Sequence, residues 1–233
     1  MKIKNILYLF LLTNIALVPY IFTMEERHDE EISEKQQKFI KWLETNPDTH
    51  MLLGMLQRAD FPMELRVMII EAMRSNENGQ ALLNAIDNRN LDEVNRLLKK
   101  PYININVQDE YGETALYKSV TKNFPQIVQM LLEKGANPNL QDNYGWTPLY
   151  KSATTNHPEI VQMLLEKGAN PDIQDKYGET ALHRAVINNH PKIVQMLLRK
   201  GANTNLHDKR GMTALARAIS RELPEIIQML NNA

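Results

Sequence analysis

From Leu116 onward, apolar residues come as pairs of short stripes, and the pairs return every 33 residues. Leu116 and Val120 stand four apart, as one helix face requires, and Ile127, Val128, Leu131 and Leu132 mark a second helix. Gln129 and Glu133 fall on the opposite side, toward solvent. Leu82, Leu83 and Ile86, then Val94, Leu97 and Leu98, form a looser upstream copy of the same pair. Neither helix of a pair can bury its stripe alone, so neighbouring pairs must stack.

The polar positions punctuate this rhythm. Asp109, Asp142, Asp175 and Asp208 open blocks reading DEYGETALYKSV, DNYGWTPLYKSA, DKYGETALHRAV and DKRGMTALARAI. Asp at the first place and Gly at the fourth (Gly112, Gly145, Gly178, Gly211) suit a β-turn. Thr114, Thr147, Thr180 and Thr213 then stand where a hydroxyl can cap a helix start, and Pro148 follows its Thr at the first helical position. Asn123, Asn156 and Asn189 mark the joint between helices, and Asn tolerates left-handed backbone. Pro125, Pro158, Pro191 and Pro224 start the second helix; Gly135, Gly168 and Gly201 close it as left-handed caps.

These blocks, with their TPLH-like segment, IV-x-x-LL helix and GAN-x-N ending, resemble the ankyrin repeat over residues 109–233, with a degenerate copy from about residue 78. The resemblance implies an all-α solenoid of helix-turn-helix units with protruding turns. The repeats are placed at about 76–108, 109–141, 142–174, 175–207 and 208–233. His183 matches the His of the family's TPLH segment, which supports the turn by hydrogen bonds; Tyr117, Tyr150 and Ala216 replace it, putting that bond in doubt in three repeats.

Residues 24–75 are read as a separate helical segment, with three helices separated by turns over 32–75. Its third helix, FPMELRVMIIEAM (61–73), resembles the opening of an F-box through Pro62, Glu64, Leu65, Ile69 and Ile70. That resemblance implies docking to a ubiquitin-ligase scaffold, the role of an exported, effector-type adaptor; a proline-initiated amphipathic helix has the same pattern. Residues 1–23 pair Lys2 and Lys4 with an apolar run, Ile6 to Phe22, and an acidic flank from Glu25. This suits an export signal or an uncleaved membrane anchor, with an apolar helix packed on the domain as the bland alternative. Export follows as the expected localisation, secreted or anchored. Membrane contact is confined to residues 6–22.

Composition trims the remaining options. The 233-residue chain has a net charge of −1, giving nucleic acid no basic surface to meet, and it has no cysteine for disulfides, thiolate metal sites or a thiol nucleophile. No G-x-S-x-G elbow, phosphate loop or H-E-x-x-H helix occurs. His157 and His190 share a repeat position, but nothing joins them at ligand spacing, so they read as structural. No enzyme activity, cofactor or metal is expected.

Function is therefore sought in what differs between copies. In the ankyrin family the turn tips and the adjoining helix face form a concave partner-binding surface. Here that surface comprises Tyr111, Glu113 and Lys118; Tyr144, Trp146 and Lys151; Tyr177, Glu179 and Arg184; and Arg210, Met212 and Arg217. Glu110, Asn143, Lys176 and Lys209 share the tips. The tyrosines would form an aromatic ladder or else pack turn on turn; the cations would form a basic column or merely a solvated helix face. Trp146 is the foremost contact, because its counterparts Glu113, Glu179 and Met212 show that the scaffold needs no Trp. The expected partner is another protein, bound by a monomer; self-assembly through the thinly capped last repeat is the structural alternative.

Overall fold

The computed structural model describes residues 63–100 and 103–233, with side chains from Arg74 onward except residues 101 and 102. The chain divides into two units, residues 1–73 and 74–233, and the stack occupies the second. The expected export segment (1–23) and the first two helices of the 24–75 segment lie outside the described residues. So do the side chains of the F-box-like stretch 61–73.

Ten helices and no strands occur among the described residues. The first pair is α1 (Met63–Asp87) and α2 (Leu91–Leu98), followed by α3 (Ala115–Thr121) and α4 (Pro125–Glu133). Then come α5 (Pro148–Thr154) and α6 (Pro158–Glu166), α7 (Ala181–Ile187) and α8 (Pro191–Arg199), and α9 (Ala214–Ser220) and α10 (Pro224–Asn231). Helices α3, α5, α7 and α9 pack side by side in one layer, and α4, α6, α8 and α10 in a second. The four pairs from α3 and α4 to α9 and α10 also close on themselves.

One continuous apolar core runs between the layers, as the stripes require. It begins with Leu82, Ile86 and Leu97, continues through Leu116, Val120, Ile127 and Leu131, and repeats to Ile226 and Leu230. A fully buried Leu or Ile contributes roughly 1.5–3 kcal/mol, so each stacked layer matters to its neighbours. Gln129 and Glu133 do face solvent, joined by a 2.9 Å hydrogen bond.

Local signals behave as their chemistry dictates. Each repeat Thr accepts the backbone N–H three residues on: Thr114 from Tyr117, Thr147 from Tyr150, Thr180 from His183 and Thr213 from Ala216. Pro125, Pro158, Pro191 and Pro224 occupy the first turns of the second helices. Asn123, Asn156 and Asn189 adopt φ of 55°, 57° and 55°. Two further joints do the same with residues no sequence rule selects, Arg89 at 55° and Glu222 at 56°.

Helix α1 runs through residue 75, the expected boundary, to Asp87. The longer loop of the first copy lies on that helix. Asn104 donates its backbone N–H to the Ser75 carbonyl at 3.0 Å and its side-chain amide to Asn76 Oδ1 at 2.8 Å. A Cβ on Gly79 would stand 2.5 Å from the Asn104 carbonyl oxygen. Gly79 is thus a seat for the loop, where a bare sequence suggests a break.

Two side-chain ladders fix the spacing between repeats. Gln108 donates to the Gly112 carbonyl of its own turn at 2.7 Å and to the Gln141 carbonyl one repeat on at 2.9 Å. Gln141 and Gln174 repeat this, reaching Gln174 and His207 respectively. In the loops, Asn106 Oδ1 accepts Asn137 N–H, Asn139 Oδ1 accepts Asn170 N–H and Asp172 Oδ1 accepts Asn203 N–H, each at 2.8 Å.

Candidate partner-binding surface

The four turns share one construction. The opening Asp carbonyl accepts the N–H of the Gly three residues on, at 2.9–3.0 Å. The same Asp turns its Oδ1 inward to accept two further N–H groups, as Asp175 does from Tyr177 and Glu179, both at 2.8 Å. The turn glycines take φ of 74–85°, and a Cβ on Gly145 would press within 3.0 Å of the Lys176 nitrogen in the next turn. Successive turns are also tied backbone to backbone. The carbonyls of Tyr111, Tyr144 and Tyr177 accept the N–H groups of Asn143, Lys176 and Lys209 at 2.9, 3.1 and 2.8 Å.

Turn-to-turn packing is carried by main chain, and the rings stand 61%, 56% and 62% exposed at Tyr111, Tyr144 and Tyr177. Arg210, also exposed, continues the row in the last turn.

Trp146 is placed differently. It is half-buried, its ring stacked between Tyr144 (centroids 5.1 Å apart) and Tyr150 (5.6 Å), with the Lys151 ammonium 5.7 Å above it. Its indole N–H donates to Asp175 Oδ2 at 3.2 Å, in the following repeat. Trp146 therefore joins two repeats while backing the exposed Tyr144.

The cations of the inner helices are also engaged. Lys118, only 11% exposed, contacts Asp87, Asp109 and Glu113 at 2.8–3.3 Å. Burial pulls its pKa down, but the bonds to Asp109 and Asp87 outweigh that and hold it above the usual lysine value. Arg184 pairs with Glu179 at 3.2 Å and lies over the Tyr150 ring; Arg217 pairs with Asp208 and reaches Glu179 at 3.6 Å. Burial raises the Asp208 carboxyl, yet the Met212 N–H and the Arg217 guanidinium outweigh it and hold the pKa below the ordinary aspartate value. Lys118, Arg184 and Arg217 are accordingly neutralised by carboxylates of their own turns, Lys118 and Arg217 also by Asp87 and Glu179 of the preceding repeat. Met212 is half-buried; its N–H donates to Asp208 and its carbonyl meets His183.

The bond in doubt at the TPLH position has a substitute. His183 accepts the Thr180 N–H at Nδ1, so its Nε2–H donates forward to the Met212 carbonyl at 3.1 Å. Tyr150 replaces this with its hydroxyl, donated to Asp175 Oδ2 at 2.9 Å, and Tyr117 does likewise with Asp142. Both link a repeat to the next turn, and burial foremost raises both phenol pKa values. At the joints, His190 reaches the Ala153 carbonyl at 2.9 Å and His157 meets Thr155 Oγ1 at 3.1 Å, each a structural contact.

Sequence reasoning missed the centrality of Asp175, whose two oxygens gather four donors from three elements. A turn Asp followed by a Tyr and Trp one repeat earlier is the signal that could have found it. No group of three or more His, Cys, Asp or Glu suited to a metal ion occurs among the described residues. Nor is any helix among them long and apolar enough to cross a membrane.

Comparison with known proteins agrees with this geometry. A family model described as ankyrin repeats (3 copies) matches residues 65–142 and 82–175, and one described as ankyrin repeats (many copies) matches 153–198. A search of the curated proteins found no match.

Proposed function

Since the chain belongs to the ankyrin-repeat family, whose stacks are protein–protein interaction modules, we propose that it captures one protein partner on the row of turn tips. The observation that carries this reading is the set of three exposed tyrosines on turns already held by main-chain bonds. Exposed aromatic side chains on a preformed surface are what binding hot spots use. A stack that needs no rearrangement loses little freedom on association.

The inner row has the supporting part. Lys118, Arg184 and Arg217 hold repeats together, and Trp146 with Lys151 stiffens the platform behind Tyr144. The titratable groups of this face are paired with one another, which favours a non-enzymatic binder over a catalyst. The test is a pull-down with the full chain against the Tyr111→Ala, Tyr144→Ala, Tyr177→Ala triple variant. A protein retained by the first and lost by the second, with unchanged melting, supports the reading; one retained equally by both removes it.

A further inference from the structure

Tyr111, Tyr144 and Tyr177 occupy the same place in three consecutive turns. Packed helices lie about 8–10 Å apart, so the rings recur at about that interval along the stack. A polyproline II helix has three residues per turn and rises about 3.1 Å per residue, returning one face every ~9 Å. A β-strand returns its face after about 6.7 Å and an α-helix turns every ~5.4 Å, and neither keeps step with the rings. Flat, stiff pyrrolidines also suit aromatic seats, and such a segment has little conformational freedom left to lose.

Charge at the same tips gives the segment a direction. The first tip carries Glu110; the second is uncharged, with Asn143 donating to the Glu110 carbonyl at 2.8 Å. The third and fourth carry Lys176, then Lys209 and Arg210, all exposed. Lys118, Arg184 and Arg217 of the inner row are ion-paired, but these three cations take part in no salt bridge among the described residues.

We infer, resting on the tip-face reading above, that the partner presents a proline-rich segment in polyproline II conformation. It lies along Tyr111, Tyr144 and Tyr177 with an acidic end over Lys176, Lys209 and Arg210.

Fluorescence anisotropy with the full chain and labelled synthetic peptides of equal length tests this. The first is a polyproline of about nine residues, three per ring, with an aspartate tail tried at either end. The second has a lysine tail instead, and the third is a Gly-Ser repeat with the aspartate tail. The first should bind at least tenfold more tightly than the others. Tyr144→Ala and Tyr177→Ala should each weaken it roughly tenfold, with the helical circular dichroism signal unchanged. Lys209→Glu with Arg210→Glu should reverse the preference between the two polyproline peptides. Equal binding by the Gly-Ser peptide would show charge alone at work and overturn the inference, as would polyproline binding that survives loss of both tyrosines. Should no peptide bind while a protein partner is still captured through the three tyrosines, the tip-face reading stands and the polyproline inference fails.

Discussion

Two rows of side chains run along one face of the stack, and both vary from repeat to repeat. On the turn tips Tyr111, Tyr144 and Tyr177 remain open to solvent; on the inner helices Lys118 and Arg217 pair with Asp87 and Glu179 of the preceding repeat, and Arg184 lies over the preceding repeat's Tyr150. Variation alone does not separate them. The difference lies in what the backbone already does: tips are tied by main-chain bonds and leave the three tyrosines exposed, whereas the cations of the helix row reach the preceding repeat through side chains.

Replacing Asp175 gives the sharpest contrast. Asp175→Ala strands four donors, so the stack should lose about 3 kcal/mol or more in urea unfolding; a loss below 1 kcal/mol would break the assignment. Trp146→Ala, between the rows, should lose about 1–3 kcal/mol. Trp146→Phe should recover most of it by keeping the stacking, which thermal melting can compare. Acid separates the rows too. Burial, ahead of opposing contributions from Met212, Asp208 and Glu179, lowers the His183 pKa from its usual 6.5. The unfolded chain therefore takes the proton first. Stability is present above about pH 6.5 and falls as pH drops below it; His183→Tyr should flatten that part of a melting-versus-pH profile.

Off both rows, Glu222→Asn should raise stability by about 0.5–1 kcal/mol by relieving left-handed strain at φ 56°. Chemical unfolding that shows a loss would argue that Glu222 has a task of its own. Smallest of all, each single Tyr→Ala at a tip should move stability by less than about 0.5 kcal/mol. A larger shift at Tyr111 in the same assay would place that ring in the scaffold instead.

The sequence was most legible where one residue answers one backbone demand. Thr at the caps, Pro at the second helix, Asn at the joint and Gly at the turn each mark a local requirement, and each is met. Arg89 and Glu222 share the left-handed joint because the neighbouring helices impose it, and their side chains carry no trace of that. The inner cations were legible as a column but not as bridges, since Lys118 finds Asp87 31 residues away and Trp146 finds Asp175 29 residues away. The role of Gly79 was illegible for the same reason: its neighbour is a loop 25 residues downstream, reached only after α2 has turned the chain back. The tyrosines were legible as a ladder, while their freedom depended on main-chain bonds that side-chain letters do not announce.

The glutamine and asparagine ladders have a further consequence. Every rung joins equivalent atoms of adjacent units, so the chain carries its own ruler. Excising residues 142–174 would bring the Asn203 N–H to Asn139 Oδ1, the acceptor that Asn170 now uses. An excision that is not a whole multiple of 33 residues would leave the rungs misaligned. The stack can therefore grow or shrink by whole modules, like beads on a string, and by nothing in between.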